Sequence, residues 1–168
     1  MDTQASTQVP HNATPQTTYL AAVRSGKFLA LHPDCQGGLI LQTGQQVEFV
    51  CAGAAIGGYF DRAVTQIYTI GEVMFYAPGT RNEWEQAFQK RAATIKRLQD
   101  IATEPSPLRR AELVLRQLSR WAGAKALRQI PLDSIGEMAK VAPAMVVEAF
   151  RKSIATYQPA VDSCAIAS

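Results

Sequence analysis

Residues 135–150 read IGEMAKVAPAMVVEAF, and the reading of this stretch decides the fold. Before Lys140, the apolar residues Ile135, Met138 and Ala139 recur at helical spacing. After it, Val146, Phe150 and Ile154 recur four apart and mark the buried face of a second helix. Pro143 suits the first turn of that helix, where its missing N–H is no loss. The outline is a helix-turn-helix: a short helix from about Leu132 to Ala139, a turn at Lys140-Val141-Ala142, and a helix from Pro143 to about Ala155. The second helix opens on Ala142, Pro143, Ala144 and Met145, whose side chains offer no hydrogen bond to a base edge.

Immediately upstream, PLRRAELVLRQLSRWAG predicts a helix with Leu108, Ala111, Val114, Leu115, Leu118 and Trp121 on one face, stopped by Gly123. EPSP (104–107) separates it from a longer helix that ends near Ala102. Asn82 is the expected N-cap of that long helix, with Glu83 and Glu85 favoured by the helix dipole. Trp84, Phe88, Ile95, Leu98 and Ala102 form a heptad-like stripe along it, interrupted at Arg91. Two readings of the stripe stand side by side: packing into the chain's own core, or a seam joining two copies in parallel.

Between Phe28 and Tyr76 the chain changes character. LILQTG (39–44), VEFVCA (47–52) and TQIYTIGEVMFY (65–76) predict strands, with QTGQQ as a hairpin loop and glycines at turn spacing. Residues 1–18 are almost wholly polar, small or Pro, which predicts a disordered arm. The arm has neither the basic nor the apolar region of a signal peptide, so the sequon at Asn12 is read as chance. No apolar run reaches the roughly 18 residues of a membrane span.

The chain has 168 residues, 47% of them hydrophobic, enough for a substantial core. Its net charge of +3 is unevenly spread. Residues 1–80 hold three basic and five acidic side chains, residues 81–128 eleven and five, and residues 129–168 three and four. The positive band therefore lies on the middle helices, where it serves equally as a phosphate-facing surface or as ordinary solvated charge. Cys35, Cys51 and Cys164 are too few and too scattered for a disulfide framework or an iron–sulfur cluster, and reduced thiols in a cytoplasmic protein are the expectation. His11 and His32 are the two histidines; His32 reads as a surface loop residue rather than a haem ligand. There is no GxSxG, P-loop or HExxH pattern, so no enzyme and no cofactor are expected.

Several stretches in order resemble the cyclic-AMP receptor protein and fumarate-nitrate regulator (Crp/Fnr) family of bacterial transcription factors. CAGAAIGGYF (51–60) is similar to that family's GD-x-IGE turn, through Gly53, Ile56 and Gly57. The segment from Val64 to Phe88 resembles its last strands and dimerising helix, and IPLDSIGEMAKVAPAMVVEAF (130–150) its DNA-reading motif. The resemblance implies an α+β chain in five parts: a disordered arm (1–18), a truncated antiparallel β-roll (19–80), a dimerisation helix (81–104), a helix-turn-helix domain (105–157) and a flexible tail (158–168). Departures are specific. Ala54 and Gly58 replace the turn's acidic residues, and no R-x-S segment follows Gly57, so a cyclic phosphate has only Arg62 to meet. Lys140 stands at the turn's usual glycine, at a cost of about 1 kcal/mol if that site needs a positive φ. Glu148 replaces a later arginine, and no hairpin pattern for a wing follows Tyr157.

Two functions are therefore expected from different classes. In the first, a dimer formed through Trp84, Phe88, Ile95, Leu98 and Ala102 binds double-stranded DNA. Lys140, Arg151, Lys152, Arg109 and Arg110 touch phosphates, and Ala144 and Met145 meet thymine methyls. In the second, a relative that has given up DNA offers Ala142–Val147 as an apolar patch to a protein partner, acting as an adaptor or antagonist of a full-length regulator.

Overall fold

The computed structural model describes residues 15–156, Gln45 excepted. His11, the sequon at Asn12, Cys164 and the tail expected over 158–168 lie outside those residues. The chain is mixed α+β. Helix α1 (Pro15–Arg24) leads into six short strands: β1 (Phe28–Leu31), β2 (Gly37–Thr43), β3 (Gln46–Cys51), β4 (Ala55–Gly57), β5 (Gln66–Gly71) and β6 (Phe75–Tyr76). Five helices follow: α2 (Arg81–Ala102), α3 (Pro107–Ala122), α4 (Ala124–Leu127), α5 (Leu132–Ala139) and α6 (Pro143–Thr156).

Helix α1 begins inside the stretch expected to be disordered, a correction of that expectation for residues 15–18. The cause is the apolar run Tyr19-Leu20-Ala21-Ala22-Val23, which places Val23 in the core with Tyr19 and Leu20 packed against it. The strands form two antiparallel sheets, ordered β4-β1-β6 and β3-β2-β5. Leu39, Ile40 and Leu41 of β2 are all buried. Successive side chains point to opposite faces, so β2 is covered on both. β2 and β3 pair antiparallel up to Thr43 and Gln46, as the expected hairpin requires. The single strand-like run 65–76 divides at Glu72–Met74 into β5 and β6, which join different sheets.

Helix α2 is capped by Thr80, not by Asn82 as expected. Thr80-Arg81-Asn82-Glu83 is a capping box, in which Thr80 Oγ1 accepts from the Glu83 N–H (3.2 Å) and Glu83 Oε2 accepts from the Thr80 N–H (3.0 Å). The Gly79 N–H adds a third bond (2.8 Å), and these backbone donors at Gly79 and Thr80 hold the Glu83 carboxyl below its usual pKa. The helix carries two apolar faces side by side. Ala87, Thr94, Leu98 and Ile101 are buried against the rest of the chain, with Arg91 between them. Trp84, Phe88, Ala92, Ile95 and Ala102 form a second, partly exposed stripe. Leu98 thus leaves the expected seam and belongs to the inner face.

Helix α3 buries Ala111, Val114, Leu115 and Leu118, with Leu108 and Trp121 partly covered, as its periodicity predicts. Helix α5 and the start of α6 fall on the expected residues. Lys140 has φ 55° and ψ 48° and closes α5 in the left-handed conformation. The tight turn also needs Gly136: a Cβ there would lie 2.8 Å from the Val141 carbonyl oxygen. Lys140→Gly is expected to raise stability by about 1 kcal/mol, a gain of about 2–4 °C in Tm. Lys140→Val should lower it; thermal unfolding of the two variants checks the sign.

One continuous core runs from the sheets into the helices, from Val23, Leu39 and Phe49 through Leu98 and Leu118 to Ile135 and Val146. Where the parts meet, the rings of Phe49 and Trp121 stack nearly parallel, 5.8 Å apart. Among the described residues, no helix is long and apolar enough to cross a membrane.

Candidate functional site

The sequence points to one surface and the structure adds a second site. The surface is the outer side of α5, the turn and α6. Val146 and Ala149 face inward and are fully buried, and Phe150 packs partly against the core. The exposed residues described on α6 are Pro143, Ala144, Glu148, Arg151, Lys152 and Ser153. Of the candidate phosphate contacts, Lys140, Arg151 and Lys152 are exposed. Arg109 is also exposed and bonds Glu112 Oε2 at 3.2 Å, one turn along α3. Met145 is half-buried against the core, so Ala144 presents the more accessible apolar side chain.

Arg110 has a different occupation. Its guanidinium donates to the carbonyls of Glu104 (2.8 Å), Ala139 (3.0 Å) and Lys140 (3.1 Å). These are the chain leaving α2 and the C-terminal carbonyls of α5, which have no partner within their helix. Arg110 therefore fastens three helices together and has little left for a phosphate.

The second site lies between the sheets and α2. A cavity of about 370 Å³ is walled by Phe28, Leu41, Ile56, Phe60, Phe88 and Ile95. At its polar end Arg91 reaches from α2 to Asp61 Oδ1 (3.0 Å), Glu48 Oε2 (2.7 Å) and the Ala55 carbonyl (3.0 Å). The Arg91 and Asp61 side chains are only 12% and 4% exposed. Burial works against the charge on Arg91, but the bonds and fields of Asp61 and Glu48 outweigh it and raise its pKa further. Asp61 also accepts from the Gly57 N–H at 2.7 Å. Gly57 has φ 83°, and a Cβ there would meet the Lys27 carbonyl oxygen at 2.3 Å, so the approach of these two segments requires glycine.

Asp61 and Glu48 were not singled out by the sequence. Arg91 had left a trace, a charged residue on an apolar rung, which is the pattern of a cation turned inward to a buried partner. The exposed end of the stripe adjoins the cavity: Trp84 (46% exposed) stacks on Phe28 at 3.7 Å, and Phe88 (48% exposed) lies 5.8 Å from Phe60. Among the described residues, no cluster of His, Cys, Asp and Glu is arranged to hold a metal ion. His32 closes a loop after β1, where its ring lies edge-on to Tyr76. Cys35 and Cys51 are buried free thiols. Against protein-family models, curated proteins and solved structures alike, the chain finds no match.

Proposed function

We propose that this chain is a dimeric DNA-binding transcriptional regulator resembling the Crp/Fnr family, with the helix-turn-helix at α5 and α6 and its twin joined along the outer stripe of α2. The observation that carries the reading is the geometry around Lys140. A short helix, a left-handed turn residue and a second helix are packed through Ile135, Met138 and Val146, while α6 keeps one side in solvent. In this reading Lys140, Arg151 and Lys152 position the protein on phosphates, with Arg109 beside them. Specificity then comes from thymine methyls and from duplex shape, because α6 has no Arg, Asn or Gln on its first turns. Trp84, Phe88, Ile95 and Ala102 supply the apolar contacts between copies.

A second reading is the protein-binding adaptor. It is favoured by the exposure of Ala142, Pro143 and Ala144 together, next to Glu148, whose charge repels a phosphate backbone. Salt-dependent DNA binding separates the two. The wild-type protein should be retained on bulk duplex DNA at low salt. The variant Lys140→Ala/Arg151→Ala/Lys152→Ala should bind more weakly on every sequence, with a log–log salt slope flatter by about 2 to 3 per chain. Retention at low salt with an unchanged slope moves the phosphate contacts elsewhere. No retention at low salt removes the DNA reading in favour of the adaptor.

A further inference from the structure

We propose that the cavity beside α2 is a binding site for a small, flat, apolar molecule carrying a positively charged nitrogen, seated against Glu48 with its body among the phenylalanines. Its volume of about 370 Å³ falls within the usual range for small-molecule sites, about 300–1,000 Å³. The proposal does not rest on DNA binding, but the cavity shares Phe88 and Ile95 with the outer stripe of α2, so the seam of the proposed dimer would border its mouth.

The charge of the ligand follows from a count of donors. A guanidinium has five N–H groups. Arg91 Nε and Nη2 bond Glu48 Oε2 at 3.3 and 2.7 Å, Nη2 also bonds Asp61 Oδ1 at 3.0 Å, and Nη1 bonds the Ala55 carbonyl and Asp61 Oδ2 at 3.0 and 3.2 Å. Those five contacts use every donor the side chain has. The backbone donor facing the same space, the Gly57 N–H, is held by Asp61. An incoming anion would therefore find only the neutral donors of Thr43 and Gln46 without breaking the Asp61–Arg91 pair, and would face two carboxylates.

A cation meets the opposite situation. Two carboxylates share one guanidinium, which leaves the polar end with a formal negative charge. Both Arg91 contacts to Glu48 run through Oε2, so Oε1 remains to accept from a ligand N–H. The Glu48 side chain is 35% exposed, unlike Asp61, and is the carboxylate within a ligand's reach. Phe28, Phe60 and Phe88 present aromatic rings to the same space, and ring faces attract cations by their quadrupoles. Apolar walls, aromatic rings and one accessible carboxylate are the recognition chemistry of an aromatic amine or amidine.

The test is an amide chemical-shift titration of the full chain, without DNA, using probes matched in shape and opposite in charge. Tryptamine, phenethylamine and benzamidine serve as cations, and indole-3-propionate as the anion. At least one cation should give saturable shifts centred on Gly57, Phe60 and Phe88, with the anion at least about tenfold weaker. Glu48→Gln keeps an acceptor for Arg91 and should weaken the cation about tenfold, the loss of one charge-assisted hydrogen bond. Phe60→Ala, on an exposed rim residue, should weaken cation and anion together. Saturable binding that prefers the anion overturns the proposal. So do a cation affinity unmoved by Glu48→Gln and the absence of saturable shifts with all three cations at millimolar concentration.

Discussion

Arg91→Ala is expected to cost about 3–5 kcal/mol of folding stability, a large share of what a domain of this size possesses. The loss comes mainly from what the substitution leaves behind. Asp61 is almost fully enclosed, and without Arg91 its carboxylate keeps, among the described residues, the Gly57 N–H. Glu48 loses its partner as well, at smaller cost because it reaches water. The double variant Asp61→Asn/Arg91→Met should therefore be more stable than Arg91→Ala, because it removes the orphaned charge along with the pair. Urea unfolding of the two variants checks the order. If Arg91→Ala loses less than about 1 kcal/mol, the pair is screened like a surface ion pair and the enclosed geometry described above is wrong.

The second large effect is expected at Phe49. Phe49→Ala removes a fully buried ring from β3 and should cost about 3–5 kcal/mol through lost burial and the cavity left behind. Its position makes the form of the transition as informative as its size. Phe49 stacks on Trp121 of α3, where the sheets meet the helices. Tryptophan fluorescence and far-ultraviolet dichroism should therefore shift to lower denaturant together, as one transition, in both wild type and variant. Separate transitions for the two signals would mean that sheets and helices unfold independently and that the shared interior contributes little.

The helical half of the chain was the more legible in its sequence, for local reasons. Around Lys140, helix periodicity, a first-turn proline and a departure from glycine all speak within a few residues of one another, and α5 and the start of α6 fall where they indicate. The N-cap of α2 was nearly as plain: Thr80 and Glu83 have the three-residue separation of a capping box, but Asn82 competed as a good capping residue in its own right. Helix α1 was hidden because its own opening residues, Pro15-Gln16-Thr17-Thr18, continue the composition of the preceding arm, and burial of Val23 is a tertiary fact.

The stripe on α2 shows a different limit. A helix with two adjacent apolar faces has one periodicity, and the sequence alone does not separate the face turned to its own chain from the face beside it. Leu98 was accordingly grouped with Trp84 and Phe88, although it turns inward. The pairing of Asp61 with Arg91 spans thirty positions and two kinds of element, and no local pattern announces it. The cavity follows from that pairing, so it became visible only with the fold.

The unbroken interior between sheets and helices has a mechanical consequence. Phe49, Trp121 and Arg110 tie the sheets, α2, α3 and α5 to one packed interior, so α6 and α2 are joined through side-chain packing and not through a linker alone. A molecule lodged beneath Phe88 has no linker to rotate; it can only stiffen or distort a solid body. If two such bodies lie along their α2 rods, the distance between their outward α6 helices has a single adjustment, the scissor angle at which the rods cross.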